Sequence, residues 1–129
     1  MAEYTPGQCN IGGAERRRRR LVGVAGYVAT AIAAAAVAFL DLPPAAMLVT
    51  MVPLFGGAVG HLQARRSFCA GFARAGIYDV SGGGDDRRAV DDEAAREADL
   101  AAARRIFRDA ALLAAAGSTL LALAWWAVA

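Results

Sequence analysis

The sequence predicts an all-α membrane protein with three transmembrane helices, and two observations carry that prediction. Of 129 residues, 57% are hydrophobic, yet they are not spread along the chain. They gather in three blocks, Leu21 to Leu40, Ala45 to Leu62 and Ala110 to Ala129, none of which contains Asp, Glu, Lys or Arg. A water-soluble domain of this size alternates apolar and polar residues with a period of 2 or 3.6 instead. The second observation is length. About 18 to 20 helical residues at 1.5 Å each cross a hydrocarbon core of about 30 Å.

The first block follows the run Arg16–Arg20 and depends for insertion on Leu21, Val22, Val24, Val28, Ile32, Val37, Phe39 and Leu40, because its centre is mostly Ala. It ends at Asp41, and Pro43-Pro44 cannot continue a helix. So short a connection makes the second helix antiparallel, with Pro44 suited to its first turn. Pro53 inside the second block predicts a kink near Met51 to Pro53, since proline removes one ladder hydrogen bond. The third block ends with Trp125 and Trp126, residues that favour the membrane–water boundary.

Arginine sets orientation, and the chain has no Lys. Arg16, Arg17, Arg18, Arg19 and Arg20 precede helix one, Arg65, Arg66 and Arg74 follow helix two, and Arg104, Arg105 and Arg108 precede helix three. The positive-inside rule then places the N-terminus and the 63–105 loop in the cytoplasm and the C-terminus outside, in a multi-pass plasma-membrane protein. Arg16 to Arg20, Arg65, Arg66 and Arg74 are the expected contacts to anionic lipid headgroups. A cleaved signal peptide is the competing reading of the first block, but that block exceeds the usual 7 to 15 apolar residues and is followed by another apolar segment.

Three units are expected: a two-helix membrane hairpin over 1–80, a Gly-rich hinge at 81–84, and one long helix over 85–129. In the first, Phe68, Cys69, Phe72 and Gly76 share one helical face and Arg66, Ala70 and Arg74 the other, the pattern of a helix lying in the membrane interface. In the last, Asp85 or Asp86 serves as N-cap, and Arg87–Asp91, Arg88–Asp92, Asp92–Arg96 and Arg105–Asp109 form pairs at a spacing of four. Its first half is expected to project into the cytoplasm as a charged arm.

Chemistry-bearing residues are few. Cys9, Cys69 and His61 are the candidates for a soft metal or for sulfur handling. Their spacing does not demand it, and Cys is also a small buried apolar residue. No catalytic residue, cofactor or nucleic-acid partner is expected. Neither a P-loop lysine nor an ionisable residue at mid-depth in a span is present. Gly56 and Gly60, widened by Gly57, make a smooth face on helix two, and Ala25, Ala29 and Ala33 a similar ridge on helix one. Such faces fit an intramolecular hairpin, a homodimer or another membrane protein.

Asn10-Ile11-Gly12, Glu15-Arg16, Gly23 or Gly26, Phe68-Cys69 and Gly76-Ile77 together resemble the YgaP-like transmembrane domain family, over about residues 9–80. The resemblance implies a helical membrane module that dimerises and a link to sulfur chemistry through Cys69. Ala70 stands where the family often has Pro, the Arg run is denser, and the charged arm and third span lie outside the match. The rhodanese domain to which such modules are sometimes fused has no counterpart here, so its catalysis does not transfer. The expected role is a non-enzymatic scaffold or accessory subunit, with a small transporter or sulfur-relay element using the cysteines as the alternative.

Overall fold

The computed structural model describes residues 3–129. Helix α1 spans Gly13–Phe39, α2 Met51–Arg66, α3 Ala70–Ala75 and α4 Glu93–Val128, with two short strands, β1 at Ile77–Tyr78 and β2 at Arg88–Ala89. α1, the segment Pro44–Arg66 and α4 are each long and apolar enough to cross a membrane. α2 packs against both α1 and α4. Away from these contacts Leu21, Val28, Ile32, Leu112, Leu120 and Leu123 are exposed, far more outward apolar surface than a water-soluble monomer carries.

α1 ends in a Schellman closure. The N–H of Asp41 donates to Ala38 O at 3.1 Å and that of Leu42 to Val37 O at 3.0 Å. Asp41 adopts φ 51°, a left-handed conformation that Asp tolerates better than most residues. After Pro43 the chain resumes as a 3₁₀ segment, Pro44–Thr50, and widens to α-helix at Met51. The irregularity expected near Met51 to Pro53 is thus a change of pitch, which puts Pro53 in the first turn of α2, where its missing N–H leaves no gap. At that end of the molecule Trp125 Nε1 donates to Leu42 O at 2.8 Å and ties α4 to the α1–α2 turn.

The α1–α2 approach rests on four glycines. A Cβ at Gly60 would lie 2.5 Å from Gly23 N and 2.7 Å from Arg19 O, and one at Gly26 would fall on the Gly57 backbone. The helices therefore meet backbone to backbone, through Gly23 and Gly26 on one and Gly57 and Gly60 on the other. Two expectations need correction. A Cβ at Gly56 would meet nothing, and Ala25 and Ala29 are exposed. The face selected is the one where both helices have glycines three apart, because only glycine on both sides allows so close an approach. On the other side of α2, Leu54 sits at Gly117 of α4, where a Cβ would come within 2.5 Å of its Cδ2.

The Arg-rich end holds a compact cap, built from residues 3–12, the first turns of α1, α3, both strands and the first half of α4. This corrects the three-unit division. α4 begins at Glu93, and its N-cap is Asp92, whose carboxylate accepts Ala95 N–H at 3.0 Å, rather than Asp85 or Asp86. Residues 85–92 instead carry β2, paired antiparallel with β1 as Ile77↔Ala89 and Tyr78↔Arg88. The four pairs expected at a spacing of four do not form: 87, 88, 91 and 92 precede the helix, and Asp109 is taken by Arg66 at 2.7 Å and Arg108 at 2.9 Å. Nor does the first half of α4 project as an arm. Ala95, Asp99, Ala102, Ala103 and Ile106 are buried against the cap.

The expected interfacial helix is also absent. Ser67, at φ 53°, ends α2, and Cys69 caps the separate α3. Phe68, Cys69 and Phe72 face the cap core, with Ile11, Ala70, Ala73 and Ile106, instead of lipid. Burial inside the protein serves these side chains as well as hydrocarbon would, so the helical pattern alone could not separate the two.

Candidate functional site

The polar centre of the cap lies where the N-terminal segment crosses the α2–α3 junction. Asn10, fully buried, clamps Cys69 in both directions: its Nδ2 donates to Cys69 O at 3.0 Å, and its Oδ1 accepts Cys69 N–H at 2.6 Å. Its backbone N–H donates to Ser67 O at 3.1 Å, and its carbonyl accepts Asp79 N–H at 2.9 Å. Three chain segments are thus joined through one side chain and its peptide.

Around the Cys69 thiol the first turns of α1 supply charge. Arg19 Nη2 lies 3.0 Å from Cys69 Sγ, and Phe72 N–H points at the same sulfur from 3.4 Å. Arg19 also pairs with Glu15 at 3.1 Å, while Arg18 pairs with the other Glu15 oxygen. Glu15 is 1% exposed, and a carboxylate so deeply buried persists only when paired. The guanidinium carbons of Arg19 and Arg87 lie 5.5 Å and 5.1 Å from the Phe72 ring centroid, within cation–π range. Arg16 Nε donates to Ala64 O at 3.1 Å, closing an orphan carbonyl at the end of α2. The Arg run, expected only as a headgroup contact, is therefore divided: Arg16 and Arg19 are half-buried and bonded within the cap, Arg18 is exposed but paired with Glu15, and Arg17 and Arg20 are exposed, as are Arg65 and Arg74.

Two further carboxylates organise the cap, and neither was singled out in the sequence. Asp79 is fully buried and accepts Ser81 N–H at 3.0 Å, Ser81 Oγ–H at 2.5 Å and Asp86 N–H at 3.1 Å. Ser81 Oγ in turn accepts Gly84 N–H at 3.0 Å. The Ser81–Gly84 stretch expected as a free hinge is therefore fastened at both ends. Asp99, 1% exposed, accepts Tyr4 Oη–H at 2.8 Å and Gly7 N–H at 2.7 Å, pinning the N-terminal segment to α4. Burial, then the hydrogen bond to Asp99, raises the Tyr4 phenol well above its usual pKa. The sequence signal for Asp79 was its place just before Ser81 and the glycines, a common turn composition; Asp99, between Ala98 and Leu100, had none.

Burial alone would raise the pKa of Asp79, but the hydrogen bonds from Ser81 and Asp86 and the charge of Arg87 together hold it below the usual carboxylate value. A carboxylate whose folded pKa is depressed stabilises the fold above its unfolded pKa, about 3.9, and that contribution disappears as pH falls through the folded value. The cap is expected to loosen in acid below about pH 4. An Asp79→Asn variant should be less stable at neutral pH and should lose this part of the acid transition, as read by tyrosine fluorescence in detergent across a pH series.

Cys9, Cys69 and His61 do not come together as a ligand set. The Cys9 thiol turns toward Ile11 O at 3.6 Å, and His61 lies at the exposed surface with its ring 6.1 Å from that of Tyr27. Both cysteines are free, and no group of three His, Cys, Asp or Glu side chains suited to a metal occurs among the described residues.

The class defined by these observations is a multi-span helical membrane protein with a hydrogen-bonded cap at its Arg-rich end. In comparisons with known proteins, no family model, curated protein or solved structure matches the chain.

Proposed function

We propose that the chain is a non-enzymatic scaffold or accessory subunit of the plasma membrane. In this reading its N-terminus and cap lie in the cytoplasm, its C-terminus lies outside, and it docks a second copy or another membrane protein. The supporting observation is that the buried polar side chains of the cap are spent inside it: Asn10, Asp79 and Asp99 fasten separate stretches of chain to one another, and Glu15 pairs with Arg18 and Arg19 of its own helix. The cap thereby becomes a rigid platform whose outer face on α4 carries the exposed charges Glu93, Glu97 and Arg105. The exposed arginines at its base suit anionic headgroups. The resemblance to YgaP-like modules, which dimerise, agrees with this reading. A photo-crosslinking residue placed in turn at Glu93, Glu97 and Arg105 in intact membranes should give a discrete adduct, either with a second copy or with another membrane protein, from at least one position. Lack of any adduct from all three would end the proposal.

A second reading, a small transporter or sulfur-relay element, is favoured by one observation: the Cys69 sulfur receives N–H groups from Arg19 and Phe72. Full retention of substrate flux or persulfide transfer by a Cys9→Ser, Cys69→Ser double variant would eliminate it.

A further inference from the structure

One face of α4 runs unbroken from the cap into the spans. Arg96, Leu100, Ala103, Arg104, Phe107, Ala111 and Ala114 follow one another at helical spacing of three and four. Three cavities open along this stripe. The uppermost, about 180 Å³, is lined by Ala73, Arg74, Gly76, Arg96 and Leu100. The next, about 230 Å³, shares Arg74 and Leu100 with it and adds Ala103, Arg104 and Phe107. Phe107 stacks on Phe55 of α2 with ring centroids 6.4 Å apart. Phe55 in turn lines the third, an apolar furrow of about 280 Å³ formed with Met51, Val52, Ala111 and Ala114.

The chemistry changes along this path as it does along a phospholipid. At the cap end stand Arg74, Arg96 and Arg104, and none of the described residues forms an ion pair with any of them. Every other cavity wall there is small or apolar. Arg96 is admitted by Gly76, where a Cβ would lie 2.5 Å from its Nη2. At the other end the furrow is hydrocarbon-lined. The junction lies next to Asp109, which is paired with Arg66, and the 16 residues from there to Trp125 rise about 24 Å, most of the roughly 30 Å of a hydrocarbon core.

We propose that this groove is a binding site for one anionic phospholipid. Arg74, Arg96 and Arg104 hold the headgroup phosphate, Leu100 and Phe107 cover the glycerol region, and one acyl chain lies in the furrow over Phe55, Ala111 and Ala114. Guanidinium groups pair with phosphate through forked N–H donors, and basic pockets at the cytoplasmic boundary of helical membrane proteins take such headgroups. A phospholipid joins both halves of the groove in one molecule, which a free phosphate does not, and these three arginines favour a headgroup of net negative charge over one whose phosphate is neutralised by a choline cation.

The test uses the full-length protein in an uncharged detergent, with retained lipid counted by native mass spectrometry. The wild type should retain one phosphatidylglycerol at least about ten-fold more tightly than phosphatidylcholine. Arg74→Gln, Arg96→Gln, Arg104→Gln together should remove that preference. Arg88→Gln, Arg105→Gln, Arg108→Gln, an equal change of charge at exposed positions that do not line the groove, should leave it intact. Ala111→Trp, which fills the furrow from an exposed position, should weaken phosphatidylglycerol retention without touching an arginine. Equal loss in the two triple variants, or no preference in the wild type, would overturn the proposal. So would competition by glycerol 1-phosphate at the affinity of the intact lipid, since the acyl chain would then contribute nothing.

Discussion

Leucine at Gly60 separates α1 from α2, and alanine at Gly56 does not. At Gly60 a side chain would run into Gly23 N and Arg19 O, at Gly26 into the backbone of Gly57, and at Gly56 into open space. Backbone cannot rotate aside as a side chain can, so relief requires the helices to move apart along their whole contact. Overpacking in well-packed interiors typically costs 1–3 kcal/mol, and here the upper end, about 3 kcal/mol, is expected for Gly60→Leu and Gly26→Leu. Gly56→Ala should change stability by no more than about 1 kcal/mol, with the gain in helix propensity acting in its favour. Unfolding midpoints in a mixed-micelle SDS titration separate the cases. A Gly56 variant as damaged as the Gly60 variant would show that the helices meet on a different face.

Replacing Asn10 with alanine opens the cap at Cys69. The side chain engages both the N–H and the C=O of Cys69; the C=O also accepts Ala73 N–H at 3.1 Å, so removal of Asn10 leaves the buried Cys69 N–H as the group without a partner. An unsatisfied buried group costs about 1–3 kcal/mol, so Asn10→Ala should destabilise the cap by about that amount. Asp at this position keeps the acceptor but loses the donor and sets a carboxylate oxygen against the Cys69 carbonyl, so it should not rescue. Because Cys69 is only 4% exposed, its alkylation rate in a Cys9→Ser background reports opening directly. A loss of about 2 kcal/mol corresponds to about 30-fold faster modification where local opening limits access. An unchanged rate would mean that Ser67, Asp79 and the packing of Phe68 hold this crossing without Asn10.

How far such features could be read beforehand differs residue by residue. The three apolar blocks were legible because lipid imposes a length and forbids charge over that length, and both conditions are local in sequence. The boundary between span and cap was harder. Phe68, Cys69 and Phe72 make the same helical pattern whether their apolar face meets lipid or protein, and only Ser67 at positive φ, which ends α2, turns them inward. The charges of 85–109 suggested i,i+4 pairs, but Asp109 found Arg66, 43 residues away, and Asp99 found Tyr4, 95 residues away. Pairings across such separations leave no periodic trace. The candidate site was seen only in part: Cys69 was singled out, whereas Asn10, Glu15 and Arg19 were noticed for other reasons and Asp79 and Asp99 not at all.

The sequence by itself determined the number of apolar helices and the concentration of arginine at one end, because each follows from composition within a single stretch of chain. The tertiary structure decided which glycines face one another, that the basic end folds into a cap, and that three arginines with no ion-pair partner among the described residues stand above an apolar furrow. Those outcomes depend on which distant segments meet, and that is fixed by close packing and by the need to satisfy every buried polar group at once.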